Sequence, residues 1–274
     1  EVNLEKPFLY KTYSATRRVQ NGEIKYYLPE TPNKLSIKII DDQNRIVLEK
    51  DGINNDNSDE EDSSWFAPKN KNPLMEKGLN NYTWNLRYPG ASEFEGMIIW
   101  SAKPSLGPIA PPGIYEIQLT VDDQSFKTSI EVKKDPRIEI SDEIIRKQFD
   151  FAMDIMKQTD LANKSIIKIR SIKGQLNEAT RNSSPGKLKK IKSLVYKLEK
   201  IESSIYQTKN QSGQDPLNFP IKVNNRLAYL RKSVESGDGI LTKGSIDVYE
   251  ELKDELSNYL TRLNLLYDES TKYL

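Results

Sequence analysis

Ile114-Tyr115-Glu116-Ile117-Gln118-Leu119-Thr120-Val121 alternates Tyr115, Ile117, Leu119 and Val121 with Ile114, Glu116, Gln118 and Thr120, the two-residue period of a strand with one buried face. Asp122-Asp123-Gln124 supplies a turn, and Phe126-Lys127-Thr128-Ser129-Ile130 resumes the alternation, so this stretch predicts a hairpin. Working backwards, Asp41-Asp42-Gln43-Asn44 plays the same part between Leu35-Ser36-Ile37-Lys38-Ile39 and Arg45-Ile46-Val47-Leu48. Residues 24–28, 82–86 and 97–100 read as further strands. Short strands at this spacing predict an immunoglobulin-like β-sandwich over residues 22–134, with residues 1–21 as an N-terminal extension or linker.

Beyond Lys133-Lys134-Asp135-Pro136-Arg137 the apolar period lengthens to between three and four and glycine and proline thin out, which places a domain boundary there. Ser141 followed by Asp142 and Glu143 is a helix start. Ile145, Phe149, Ala152, Met156, Ile166, Ile169 and Leu176 form its stripe, with Met153 and Met156 as core fillers. Asn182-Ser183-Ser184-Pro185-Gly186 ends it, and Leu188, Ile191, Val195, Leu198, Ile201 and Ile205 begin a second stripe. Val223, Leu227, Leu230 and Val234 make a third, and after Gly237-Asp238-Gly239 a fourth runs through Val248, Leu252, Leu256, Tyr259, Leu263 and Leu266. Each stripe needs a partner, so residues 141–274 predict an antiparallel four-helix bundle. The expected chain is all-β followed by all-α.

Composition narrows the function. The 274 residues carry 41 Lys+Arg against 40 Asp+Glu, a net charge of +1, so no global field exists to hold nucleic acid or an anionic membrane. With 36% hydrophobic and 30% charged residues, no apolar run approaches the roughly 20 residues of a spanning helix. The absence of Cys and His removes disulfides, thiol nucleophiles, Cys/His zinc sites and an imidazole-based triad. No cofactor is expected. The first residue is Glu1, without an apolar leader behind it, which predicts a processed chain or an excised fragment.

Candidate chemistry is confined to a few places. The tract 51–65 is rich in Asp, Asn and Ser, and Asp56, Asp59 and Asp62 offer the oxygens a calcium ion needs. The spacing departs from a helix-loop-helix calcium loop, and a solvated loop is the reading taken. Glu93 and Glu95 flank Phe94 and would point the same way on an extended chain, as an acid and base pair on a glycosidic bond does. Trp65 and Trp100 are candidate platforms for a sugar, whereas Trp84 lies within an alternating strand and is expected in the core. Lys187, Lys189, Lys190 and Lys192 cluster early in the second helix. With Glu199 and Glu202 following, they read as a solvated face.

Three ordered stretches resemble one family. Gly78-Leu79-Asn80-Asn81-Tyr82-Thr83-Trp84-Asn85-Leu86-Arg87-Tyr88-Pro89 is similar to the GLNRFVWDLRYP segment behind the β-propeller of bacterial secreted sortilin-like or BNR-repeat glycosyl hydrolases. Gly96-Met97-Ile98-Ile99-Trp100, Gly107-Pro108 and Ala110-Pro111-Pro112-Gly113-Ile114-Tyr115 resemble that family's GMILW and GPLAPPGTYTVRL elements. Asn224-Asn225-Arg226-Leu227-Ala228-Tyr229-Leu230 resembles its NNKLAYL helix start. The motifs also have structural explanations. Pro111 and Pro112 stiffen an extended entry, Gly113 permits a turn, the fork of Arg87 can tie down the loop at Tyr88, and Asn224 and Asn225 suit a helix entrance.

The resemblance implies the C-terminal region of such a protein. The Asp-box repeats of its propeller do not occur here, so the hydrolase label does not descend to these residues. The expected role is a non-catalytic binding or docking module in protein assembly at the cell envelope, secreted, periplasmic or on the surface of a bacterium. Its expected partners are an upstream propeller or another envelope protein, with a glycan as a further candidate. The rival reading is an accessory part of a glycoside hydrolase acting on polysaccharide.

Overall fold

The structure is a computed structural model that describes residues 5–54 and 72–274. Among these residues a strand-rich region precedes four α-helices. The strands are β1 (Phe8–Leu9), β2 (Ala15–Thr16), β3 (Gly22–Leu28), β4 (Leu35–Ile40), β5 (Ile46–Asp51), β6 (Gly78–Trp84), β7 (Arg87–Pro89), β8 (Leu106–Ile109), β9 (Gly113–Val121) and β10 (Gln124–Lys133). They build one sheet in the order β1-β3-β6 and a larger one in the order β2-β10-β9-β4-β5, with β7 and β8 as a separate pair. The helices are α1 (Asp142–Ala179), α2 (Pro185–Ile205), α3 (Val223–Val234) and α4 (Lys243–Ser270).

By Cα proximity the chain divides into two compact units. The first takes in the described residues up to Pro89 together with Pro108–Phe149, and the second Gly90–Gly107 with Asp150–Leu274. Strand gives way to helix after Arg137, but the spatial division falls within α1.

In the strand unit the hairpin has the expected register, Ile117 opposite Thr128 and Gly113 opposite Val132. Tyr115, Ile117, Leu119 and Val121 are all buried, and Ile37 and Ile39 of β4 sit opposite Leu119 and Ile117. Asp122 turns the chain at φ 48°, and its Oδ1 accepts the backbone N–H of Asn33 and Lys34 at 3.0 and 2.9 Å. The Asp41 carboxylate organises the β4–β5 turn likewise, taking the N–H of Gln43 and Arg45 at 2.9 Å each. Asp41 captures its own turn's backbone, whereas Asp122 ties its turn to the backbone before β4. Trp84 of β6 is fully buried and meets Tyr115 of β9 edge-on at 5.2 Å, so the buried sides of the two larger sheets touch.

Three strand expectations change. Residues 1–21 contain β1, antiparallel to β3, and β2, parallel to β10. Two-residue strands are too short to show a period. The strand expected at 82–86 runs instead from Gly78 to Trp84, ended by Leu86 at φ 57°. Met97–Trp100 is not a strand. Its apolar run looks like one, but its backbone finds side-chain partners, Tyr206 just after α2 and Asn225 on α3, rather than a ladder.

In the helical unit, Thr242 caps α4 by accepting the Ser245 N–H at 3.1 Å, and Pro185 opens α2 where no helical donor is needed. Ile166, Ile169 and Leu176 of α1, Ile191, Leu194 and Leu198 of α2, Leu227 of α3, and Leu252 and Leu256 of α4 join one buried cluster with Phe94.

Candidate functional site

The segment Gly90–Gly107 carries almost no regular structure and belongs to the helical unit. Its backbone polar groups have to be satisfied somewhere. It first closes on itself: the Ala91 N–H donates to Pro104 O at 2.8 Å. A Cβ on Gly90 would lie 2.3 Å from the Ser105 backbone, so only glycine fits there.

Helix side chains then hold it. Asp160 accepts the Ser92 N–H at 2.8 Å, and the Asn163 side chain donates to Ser92 O at 2.7 Å. Phe94 packs edge-on against Tyr206 at 4.9 Å, and the Arg170 guanidinium lies 4.8 Å from the Phe94 ring centroid. Arg170 donates to Glu95 O at 2.8 Å and to the Glu202 carboxylate at 2.9 Å, and Lys173 reaches the other Glu202 oxygen at 3.0 Å. The Tyr206 hydroxyl donates to Gly96 O at 3.1 Å and accepts the Ile98 N–H at 3.0 Å. Asn225 takes the Trp100 N–H at 2.7 Å and returns its own N–H to Trp100 O at 3.0 Å, replacing a neighbouring strand. Arg231, buried and paired with Glu235 at 2.5 Å, donates to Leu106 O at 2.6 Å.

Two sequence motifs therefore meet: Gly96–Trp100 lies on Asn225, and Asn224 donates to Asn163 at 3.1 Å. Asn224 and Asn225 do their work as loop holders; the N-cap position of α3 belongs to Lys222. Arg170, Tyr206, Arg231 and Glu235 did not stand out in the sequence, because single polar residues on an amphipathic helix carry no motif. Glu202 was read on a solvated face but is buried. Its place four residues after the core Leu198 was the available signal.

The outer side of this segment leaves an open cleft of about 490 Å³ lined by Glu93, Phe94, Gly96, Met97, Ile98, Asn210 and Gln211. Glu93 and Glu95 are both exposed, but the chain turns at Glu95 and Gly96, and Glu93 alone of the two lines the cleft. Trp100 is half-buried and stands outside the lining. Trp65 and the calcium candidates Asp56, Asp59 and Asp62 lie outside the described residues. Among the described residues no group of three or more Asp or Glu side chains is arranged to hold a metal ion, and no helix is long and apolar enough to cross a membrane.

The remaining motif residues lie in the strand unit. Trp84 donates from Nε1 to Arg87 O at 3.2 Å, and Arg87, half-buried, gives its own N–H to Asn85 at 3.1 Å. The buried Tyr88 hydroxyl donates to Asp41 Oδ2 at 2.8 Å beside Arg45, whose Nε reaches the same oxygen at 2.6 Å. Burial pushes the Tyr88 hydroxyl far above its usual range, with the Tyr115 and Asp41 neighbours adding to it. For Asp41 burial works upward too, but the bonds from Arg45, Tyr88 and Gln43 outweigh it and hold the carboxyl below its usual range. Pro111 O accepts the Tyr115 hydroxyl at 2.7 Å and Pro112 O accepts from Arg146 at 3.3 Å. Gly113 is simply the first residue of β9, with no positive φ, so the turn-making role expected of it is not used.

No protein-family model matches the chain, and no curated protein does. Among solved structures it is similar to CopC from Methylosinus trichosporium OB3b, at 13% identity over 48% of this chain and 98% of that one, with a TM-score of 0.26. A chimeric titin Z1Z2 functionalised with a peptide from decorin gives 10% identity over 47% and 95%, TM-score 0.24. A structure titled pT26-6p covers 98% of this chain and 50% of its own at 9% identity, TM-score 0.18. Scores at this level assign neither a fold family nor a ligand.

Proposed function

We propose that this chain is a non-catalytic docking module, an immunoglobulin-like sandwich followed by an antiparallel four-helix bundle, at the C-terminal end of a secreted or envelope-associated sortilin-like propeller protein. Its partner is the upstream propeller or another envelope protein. The observation that carries the docking reading is the construction of residues 90–107. Their inner side is bonded to helix side chains at Ser92, Gly96, Ile98 and Trp100, while the outer side offers an open cleft with Met97 and Ile98 beside Glu93, Asn210 and Gln211. A loop fixed on a helical platform presents a preformed surface, and a mixed apolar and amide lining suits a protein segment.

The alternative, an accessory part of a glycoside hydrolase, calls for two carboxyls roughly 5 to 10 Å apart and stacking aromatics. The cleft lining supplies Glu93 and the Phe94 ring, and Phe94 is committed to the core.

The test is a native pull-down from envelope fractions of the source with the wild-type chain and with Met97→Glu/Ile98→Glu. A partner recovered by the wild type and lost from the variant supports docking at the cleft. Equal recovery, or none, counts against it. Release of reducing sugar from envelope polysaccharide by the wild type but not by Glu93→Gln would move the reading to the hydrolase.

A further inference from the structure

The outward face of α2 carries a concentration of lysines. The helix carries Lys187, Lys189, Lys190, Lys192, Lys197 and Lys200 against Glu199 and Glu202. Both glutamates are engaged with α1: Glu202 is buried between Arg170 and Lys173, and Lys173 also reaches Glu199 at 3.5 Å. What faces outward is Lys189, Lys190, Lys192, Lys197 and Lys200 with Ser193, Tyr196 and the exposed Glu199 among them. Lys189, Lys190 and Lys192 make no ion pair with any described residue, and Lys197 comes no nearer than 3.9 Å to Glu269. Lys157, Lys164, Lys243 and Lys253 of this unit, by contrast, each lie beside a carboxylate three or four residues away.

The placement also works against the helix. Lysines in the first turns oppose the positive end of the macrodipole, the first turn holds no acidic residue, and Ser184 makes no capping bond. Three cations without an ion pair among the described residues, Lys189, Lys190 and Lys192, at an end of the helix where they oppose local stability, ask for an anionic partner.

We infer that this face binds an anionic lipid surface, a second contact separate from the cleft. Its chemistry selects that partner. The cations are all lysines, hydrated point charges without the planar fork that recognises one carboxylate or phosphate, so they suit a field of mobile headgroups. They run from Lys189 to Lys200, about 16 Å along the helix at about 1.5 Å per residue. Tyr196, 59% exposed in the middle of the row, brings a ring and a hydroxyl suited to the headgroup layer. The apolar stripe Ile191, Leu194, Leu198 and Ile201 is buried in the core, so the contact is peripheral and electrostatic, without insertion.

The test is flotation of the whole chain with phosphatidylcholine vesicles, with and without about one third phosphatidylglycerol. The chain floats with the anionic vesicles only, and is released as salt rises from about 0.1 to about 1 M and the screening length falls from about 10 to about 3 Å. Each lysine near such a surface is worth roughly fivefold in partitioning, so Lys189→Gln/Lys190→Gln/Lys192→Gln loses about a hundredfold. Lys157→Gln/Lys243→Gln/Lys253→Gln, which removes the same charge from paired lysines, stays within about threefold. The first triple variant should melt no lower than the wild type, since it relieves the start of α2. Should it misfold, Lys192→Gln/Lys197→Gln/Lys200→Gln repeats the test further along. Equal binding to neutral vesicles, equal loss in the two triple variants, or binding of soluble polyphosphate without vesicles overturns the inference. None of these outcomes touches the protein pull-down, so docking at the cleft stands or falls separately.

Discussion

The two units satisfy their buried backbone in opposite ways. In the strand unit the sheets pair their own N–H and C=O groups, and side chains such as Asp41, Asp122 and Arg17 serve only turns and crossings; Arg17, almost fully buried, donates to Ile109 O and Ala110 O at 2.7 Å each. In the helical unit an irregular segment lies on helices whose own backbone groups are already spent. Its carbonyls and amides are met by Asp160, Asn163, Arg170, Tyr206, Asn225 and Arg231. A loop without a ladder has to be held side chain by side chain, and that is where an adaptable surface can be built on a fixed frame.

The comparison is broken most directly at the cores. Trp84→Ala should cost about 3 to 5 kcal/mol and Leu252→Ala about 2 to 5. Hydrogen exchange should show the Trp84 change opening β3, β6 and β9, and the Leu252 change opening α2 to α4. If each spreads equally over the whole chain, the units are not separate in stability.

Asn225→Ala comes next, at about 2 kcal/mol, because it strands both polar groups of Trp100. It should speed exchange at Trp100 and its neighbours while the hairpin amides keep their protection. A loss confined to α3 would show that the loop is held by other means.

Alkaline pH should separate the units further. Burial raises Tyr26, Tyr82, Tyr88 and Tyr115 in the strand unit, Tyr82 to about 12, whereas in the helical unit Tyr249 is the tyrosine raised, to about 12. The unfolded phenol ionises near pH 10. Stability from burying it neutral is therefore full below that pH and is lost as pH rises toward the folded value. Above pH 10 the urea midpoint of the strand unit should fall first, followed by phenolate absorbance. At the acid end Asp41, held below the usual range, contributes stability that is present above about pH 4 and is lost as pH falls further. Smallest is Glu93→Gln/Glu95→Gln, two exposed changes expected to stay within about 0.5 kcal/mol by chemical denaturation.

Periodicity made most of the architecture legible. The β9–β10 hairpin, the β4–β5 turn and the four helices all follow from spacing that survives burial, since a period of two or between three and four needs only one apolar neighbour face. Trp84 was legible for the same reason. The site was less so. Gly96–Trp100 and Asn224–Asn225 drew notice as motifs, but their contact joins residues 125 apart, and no local pattern records a bond across that distance. Met97–Trp100 reads as a strand because four apolar residues look alike whether their amides face a strand or an asparagine.

The sequence by itself determined where strand period ends and helix period begins, most of the positions that face each core, though Val248 of the expected fourth stripe is exposed and Tyr249 beside it is buried, and the absence of thiol and imidazole chemistry. Only the tertiary structure decided that residues 90–107 belong with the helices, that Glu202 is buried, and that Lys189, Lys190 and Lys192 of α2 have no ion-pair partner among the described residues. Secondary structure is encoded by neighbours within a few residues, whereas pairing of polar groups depends on which distant side chains arrive at the same place.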